Sequence, residues 1–556
     1  MMEKIWLKSY PAGVAAEVNV DEYHSLGELF DRSVASFGQR AAFVNMGQAI
    51  TYRELDRLSR NFGAYLQGAL KLQPGARVAF VMPNILQYPI ALFGALRAGY
   101  TVVNCNPLYT PRELARQLND SGAEAIVILE NRAWVLEKVI AGTEIKHVIA
   151  TQIGDMLCLP RNVIVNFVVK FVRRMVPAWR IPGAVSFRSA LKQGKSLEWR
   201  PVKLGHDDIA FLQYTGGITG VPKGAMLTHG NILANLQQAH AWMRPFFKEG
   251  DEIVITALPL YHIFAMTANC LIFVKLGGAN VLITDPRDIA GLLKELRKHP
   301  FTAITGVNTL FNALLRHPDF SKLDFSHLRN CLSGGMALHQ AVAEKWKKIT
   351  GATLIEAYGL TEASPGVTMN PFNLRQFNGS VGLPLPSTEV AIRDDQGHDL
   401  PIGQAGELCV RGPQVMKGYW RRPDETAKAI MPDGFLRTGD IAVMDEKGFI
   451  RIVDRKKDTI VVSGFKVYPN EVEEVVVMHR GVLDVGAVGV PDANSGEAVK
   501  IFVVKKDANL TAADLVAHCR KSLAAYKVPR HIEFRNDLPK SAIGKVLRRV
   551  LREGEP

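Results

Sequence analysis

The sequence predicts an α/β protein: a large N-terminal part of stacked α/β subdomains plus a β-rich subdomain, then a small α+β C-terminal domain. Three observations predict it. Apolar strand-like runs alternate with helical periodicity over the first 150 residues and again after about 205, which implies a parallel sheet covered on both faces. Past about 380, short strands punctuated by Gly382, Gly397, Gly403, Gly406, Gly412, Gly434 and Gly448 replace that rhythm. From about 456 a compact mixed segment takes over. A chain of 556 residues fits roughly two to four domains.

The elements follow in order. Thr51 to Glu54 reads as a capping box, and Leu55, Leu58 and Phe62 continue it at helical spacing. Arg77 to Met82 reads as a strand, Ile85 to Ala98 as a helix and Tyr100 to Asn104 as a strand. Pro111 after Thr110 opens a helix at its first position. Strands follow at 124–129 and 147–150, then at 253–258, 280–283, 302–305, 330–333 and 353–357. No repeat and no low-complexity tract interrupts them.

Composition narrows the class. Hydrophobic residues make up 47% and charged residues 22%, ordinary globular usage that excludes a disordered chain, a collagen and a disulfide mini-protein. Lys and Arg number 67 against 54 Asp and Glu, a net charge of +13. That excess calls for an anionic partner: a nucleotide, CoA, a membrane surface or a nucleic acid. The six cysteines lie far apart, none closer than Cys105 and Cys158, and so read as small buried residues in a reducing compartment. The N-terminal stretch has no apolar core and carries acids, which predicts no secretory signal. The uncharged run Ile253 to Val274 is about long enough for a bilayer. Pro259, His262, Thr267 and Asn269 inside it favour a core strand, a turn and a buried helix.

One segment stays open between two readings. Met156 to Leu197 has no acidic residue and eight basic ones, Arg161, Lys170, Arg173, Arg174, Arg180, Arg188, Lys192 and Lys195, interleaved with Val163, Ile164, Phe167, Phe171 and Trp179. It reads either as an amphipathic element lying on an anionic membrane or as a surface helix with its apolar face in the core.

The strongest local signal is YTGGITGVPKGAM, Tyr214 to Met226. Gly216, Gly217, Gly220 and Gly224 let backbone N–H groups approach an anion, Thr215 and Thr219 add hydroxyls, and Lys223 adds a charge. It follows the apolar run Ile209 to Leu212, as a phosphate loop on a strand end does. It is no Walker A loop, because Gly224 follows Lys223.

With this loop the sequence resembles the adenylate-forming (AMP-binding) enzymes. The other motifs follow in order: SGGMAL from Ser333, EAYGLTEASP from Glu356, GELCVRGPQVMKGYW from Gly406, GFLRTGD from Gly434, VDRKKDTIVVSGFKVYPNEVE from Val453 and LPKSAIGKVLRR from Leu538. Seven ordered motifs span nearly the whole chain. LPLYHIF, DRKKD and the basic apolar segment look most like the bacterial long-chain fatty acyl-CoA synthetases within that family.

The resemblance implies an activity: ATP, a fatty acid and CoA give acyl-CoA, AMP and pyrophosphate through an acyl-adenylate. It implies Mg²⁺ as cofactor, with ATP and CoA as co-substrates. Positioning and charge stabilisation then do most of the work. Thr215 and Glu362 would coordinate Mg²⁺, whose preference for few oxygen ligands they suit. Gly216, Gly217, Thr219, Gly220, Lys223 and Thr361 would line the phosphates. Tyr358 would stack on adenine, with Gly334, Gly335 and Gly359 allowing close approach. Asp440 would accept from the ribose hydroxyls and Arg455 would donate. Lys545 would meet the carboxylate and the α-phosphate, and His262 would gate the acyl pocket with Phe264 and Met266. A buried structural histidine is the rival reading of His262.

The two domains by this resemblance are 1–455, with the β-rich subdomain at about 380–455, and a mobile 456–556. Lys457 would be the hinge, and the loop carrying Gly464 and Lys466 would line the CoA tunnel. Partners are the fatty acid, ATP and CoA, with no nucleic acid; a homodimer and an anionic membrane surface stay open. The location would be cytoplasmic, peripheral on the inner membrane face if the amphipathic reading holds. Three departures stand out: Ile218 where relatives carry a hydroxyl, Gly230 where close relatives carry Arg, and Met266 where some carry a gating Trp. Ile218 and the basic segment keep a catalytically weakened membrane-binding paralogue in view. Ligases for medium-chain or aryl acids, or for a carrier protein, are the enzyme rivals. The VSGFKVYP loop and the lack of a carrier module favour CoA.

Overall fold

The computed structural model describes residues 4–215, 222–463, 465–492, 495–541 and 544–553. Gly216, Gly217, Ile218, Thr219 and Gly220 of the glycine-rich loop, and Gly464, lie outside the described residues. Four sheets form among those described. A nine-stranded sheet has at its centre the parallel strands Leu354–Gly359, Asn330–Ser333, Ala303–Gly306, Ile253–Thr256, Ala279–Leu282 and Ala41–Asn45. An eight-stranded sheet runs parallel through Ile209–Thr215, Thr101–Asn104, Arg77–Val81, Ala125–Leu129, His147–Thr151 and Val185–Ser186. These central strands are almost continuously apolar and buried, as strands covered on both faces must be.

The edges depart from the all-parallel expectation. Gln48–Thr51, Gly366–Met369 and Leu383–Pro384 extend the first sheet antiparallel, and Lys223–Thr228 and Gly418–Tyr419 extend the second. They join through hairpins, through the longer 370–382 loop in the case of Leu383–Pro384, or by a return from the small sheet, where no crossover helix is available. Leu383–Pro384 therefore belongs to the large sheet. The four-stranded antiparallel sheet begins at Glu389–Arg393 and continues through Gly406–Arg411, Leu436–Met444 and Ile450–Arg455.

Local signals acted where the chemistry is strong. Thr110 and Glu113 close a reciprocal capping box before the Pro111–Ser121 helix, satisfying two orphan N–H groups. Thr51 Oγ1 accepts from the Glu54 N–H at 3.1 Å. The uncharged 253–274 run is a strand followed by buried helical turns from Ile263 to Lys275. Among the described residues no helix is long and apolar enough to cross a membrane.

Two expectations need correction. Cys158 is exposed while the other five cysteines are buried. The basic 156–197 segment is not one core-packed helix. Its second helix, Phe187–Lys195, buries Phe187, Ala190 and Leu191. Its first, Arg161–Phe167, leaves Val163, Ile164 and Phe167 exposed. Gly230 has a packing reason: a Cβ there would lie 2.8 Å from His206 Cβ, so an arginine cannot be accommodated without moving that loop.

The last sheet joins Phe465–Val467, Ile460–Val462, Gly496–Lys505, Val482–Asp492 and His531–Arg535. It has its own core, in which Ile460, Val467, Val472, Val476, Ile501, Val503 and Leu515 pack together. Arg548 ties this unit to the four-stranded sheet: it donates to Asp454 on the Ile450–Arg455 strand at 2.8 Å and to Glu473 at 2.7 Å. Between the sheets and this unit lies a cleft of about 1850 Å³.

Candidate active site

Strand ends build the cleft. Leu354–Gly359 places Tyr358 in it, and the small sheet brings Asp440 opposite Arg455 by direct pairing. The Tyr358 hydroxyl donates to Asp440 Oδ2 at 2.6 Å, and Arg455 Nε lies 3.4 Å from Asp440 Oδ1. Burial, with the Asp440 charge beside it, holds the Tyr358 phenol neutral, far above its ordinary range. Gly334, Gly335 and Gly359 line the same wall. A Cβ on Gly359 would sit 2.2 Å from the Pro365 carbonyl oxygen, so the strand can turn there only as glycine.

On the opposite side, Thr215 pairs with Lys223 across the hairpin that carries the glycine-rich loop. Lys223 Nζ bonds Glu425 Oε2 at 2.8 Å and lies 4.6 Å from the Tyr419 ring centre. Hydrogen bonds from Lys223 and Lys428 hold the Glu425 carboxyl down to about 2. The Tyr419 hydroxyl donates to Glu362 Oε1 at 2.7 Å. Burial, then the Glu362 charge, pushes the Tyr419 phenol up. Thr361 and Glu362 face the cleft from the short turn Thr361–Ala363.

Among the described residues no three His, Cys, Asp or Glu side chains gather to hold a metal. Thr215 and Glu362 offer one hydroxyl and one carboxylate whose second oxygen has no partner among the described hydrogen bonds. Such a sparse oxygen set fits Mg²⁺, which keeps waters and takes phosphate oxygens, and does not fit a resident transition metal.

The third wall carries His262 and Phe264. His262 Nδ1 accepts from the Phe264 N–H at 3.3 Å, and burial lowers the ring to about 4, leaving it neutral. Both sequence readings of His262 thus meet in one residue: it caps a short helix and faces the cleft. Met266 is fully buried behind this wall, its Sδ 3.8 Å from Asn104 Nδ2, and is not part of the cleft lining. Glu356 lies on the floor, accepting from the Leu338 N–H at 3.2 Å, and burial raises its carboxyl to about 8.

From the last unit, Lys545 and Lys457 enter the cleft. Loss of water, then the Arg455 charge, lowers Lys545 to about 8 against the partial support of Asp440. Burial also lowers Lys457. Lys466 is exposed on Phe465–Val467 and lies outside the cleft.

The structure thus gathers Thr215, Lys223, His262, Phe264, Gly334, Gly335, Tyr358, Gly359, Thr361, Glu362, Asp440, Arg455, Lys457 and Lys545 around one space. Sequence reasoning did not single out Tyr419, Glu425 or Glu356. Tyr419 and Glu356 lay inside quoted motifs. Glu425 gave no signal, because its partner is about 200 residues away.

Residues 30–420 match the family model described as AMP-binding enzyme, and residues 471–545 match the AMP-binding enzyme C-terminal domain. The chain is 60% identical over 552 residues to a long-chain-fatty-acid–CoA ligase of Escherichia coli O6:H1, covering 99% of this chain and 98% of that one. It is 54% identical over 556 residues to the long-chain-fatty-acid–CoA ligase of Haemophilus influenzae, covering 100% and 99%. The crystal structure of the anthranilate CoA ligase AuaEII in complex with anthranoyl-AMP shares the fold, with a TM-score of 0.85 at 24% identity over 96% of this chain and 98% of that one. With a family model across most of its length and full-length relatives at this identity, the chain belongs to the AMP-binding enzyme family.

Proposed function

We propose that the protein is an AMP-forming long-chain fatty acid–CoA ligase. The observation that carries the substrate class is the 60% identity to such a ligase over 99% of the chain. In the first half-reaction a carboxylate oxygen attacks the ATP α-phosphorus, the bond to the β-phosphate bridge breaks, and pyrophosphate leaves. In the second, the CoA sulfur attacks the acyl carbon and AMP leaves.

The chain's own residues serve these steps by position and charge. Tyr358, Asp440 and Arg455 hold the nucleoside, Asp440 accepting from the ribose. Thr215, Thr361, Lys223 and the glycine-rich loop cradle the phosphates. Lys545, a dehydrated ammonium, meets the two anions that must approach each other. A donor aimed at developing charge in such a site is worth about 3–4 kcal/mol. Thr215 and Glu362 would hold Mg²⁺, which would supply charge neutralisation on the ATP. Neutral His262 and Phe264 close the acid end, with Met266 behind them. Residues up to about 455 and from 456 on are read as the two bodies of the cycle. Lys457 serves as hinge, and the loop with Gly464 and Lys466 enters for the CoA step. The exposed position of Lys466 is compatible with a loop that is away during adenylation.

A bilayer location belongs to the same reading, because a long-chain acid concentrates in bilayers. The test is thioester formation across acids from butyrate to oleate, with benzoate and ferulate included. Highest kcat/KM for the long saturated and monounsaturated acids supports the reading; preference for an aryl or short acid refutes it.

A further inference from the structure

The helix Arg161–Phe167 and the π-helical turn Val168–Val172 that continues it are amphipathic the wrong way round. Apart from Arg161 at the start, their polar side chains face the protein. Asn162 is buried; Asn166 accepts from the Gly154 N–H at 2.8 Å; Lys170 bonds Glu130 at 2.8 Å. Glu130 in turn accepts from Gln152. Most of the large apolar side chains face outward, while Val165, Val168 and Val169 are half-buried. Leu159 is 72% exposed, Phe171 61% and Val172 64%, with Val163, Ile164 and Phe167 all more than half exposed. Positions 163, 164, 167 and 171 share one helical face, and the Phe167 and Phe171 rings touch at 5.2 Å between centres. A surface helix ordinarily turns such a stripe to the core, and clustered exposed apolar side chains mark an interaction site.

The charge around the stripe identifies what covers it. Arg161, Arg173, Arg174 and Arg180 are exposed and make no ion pair among the described residues. No acidic residue occurs between Met156 and Leu197. A second copy of the chain would bring these arginines against one another. An anionic bilayer matches both features: apolar side chains enter the acyl boundary while arginines stay among phosphate headgroups. No described helix is long enough to span, so the contact is interfacial.

We propose that Leu159 to Met175 is a preformed docking surface for anionic phospholipid bilayers, fastened to the body of the protein through Asn162, Asn166 and Lys170. This names the surface behind the bilayer location proposed above and rests on that reading alone, independent of the ligase chemistry.

Co-sedimentation of the full chain with vesicles of phosphatidylglycerol in phosphatidylcholine, and of phosphatidylcholine alone, tests it. Wild type should bind the mixed vesicles, lose binding in high salt and bind the neutral vesicles weakly. Phe167→Ser with Phe171→Ser should weaken binding about a hundredfold. Arg173→Ser with Arg174→Ser should weaken it about thirtyfold at low salt. Both variants should keep the melting temperature and the turnover of a water-soluble acid such as octanoate. Wild-type binding with both variants binding equally well overturns the surface and leaves the bilayer location standing. No wild-type binding overturns both. A wild-type dimer that Phe167→Ser with Phe171→Ser dissociates makes the stripe a self-interface and also overturns the proposal.

Discussion

Tyr419→Phe removes one oxygen and nothing else. That oxygen donates to Glu362 Oε1 at 2.7 Å, and both groups line the cleft on the side proposed to take the phosphates. Tyr419 itself is 7% exposed, so water cannot readily replace the lost donor. A hydrogen bond to a charged group contributes about 1.5–3 kcal/mol, and every 1.4 kcal/mol is about tenfold. Glu362 is proposed to hold the cation that travels with ATP, so releasing it from one orientation should raise the KM for Mg·ATP by about ten- to hundredfold. The fatty acid and CoA are proposed to meet other walls, so their KM values should change less than about threefold. Steady-state adenylation by pyrophosphate exchange, with Mg·ATP and palmitate each titrated at saturation of the other, reads the split. Equal rises in both KM values, or none in either, would refute Tyr419 as the positioning residue for Glu362.

Three further outcomes follow from the geometry. Lys545 is lowered to about 8, so kcat/KM for adenylation should fall as pH rises through about 8, where the free ammonium is lost; bound anions stabilise its charge, so the kcat limb should lie higher, and a kcat/KM profile flat to pH 10 or so contradicts the assignment. Glu356 is raised to about 8, so the folded state binds the extra proton and stability falls as pH climbs from its ordinary range to 8. Glu356→Gln should therefore match wild type near pH 4 and exceed it by on the order of 3 kcal/mol near pH 7; equal pH dependence in denaturant melts of the two proteins disproves this. Lys457→Pro restricts the backbone at the proposed hinge, so palmitate-dependent pyrophosphate exchange should persist while thioester release falls at least about tenfold; normal values for both place the hinge elsewhere.

Much of the fold was legible because burial writes itself into composition. The run Ile126 to Leu129 reads as a doubly covered strand and is one, and the strand read at 330–333 has those bounds. The antiparallel edges were missed: Gln48–Thr51 turns back on Ala41–Asn45 through Met46 and Gly47, both at positive φ, and only Gly418–Tyr419 depends on a return from another sheet. In the site, residue types demanded by phosphate and nucleotide chemistry were readable one motif at a time. Their joining was not. The Tyr358–Asp440 hydrogen bond spans 82 positions and the Lys223–Glu425 pair 202, and no local pattern encodes either. The 161–172 helix shows the limit of periodicity: the stripe was visible, but only the anchoring of Asn162, Asn166 and Lys170 reveals that it points outward.

The central claim is that one cleft adenylates a long-chain acid with Lys545 in place and then forms the thioester without it. Comparing Lys545→Ala with wild type in the two half-reactions separately tests this. Palmitate-dependent exchange of pyrophosphate into ATP should drop by about 10²–10³, while palmitoyl-CoA formation from supplied palmitoyl-adenylate should stay within about threefold of wild type. Equal loss in both halves, or undiminished exchange, would contradict the account.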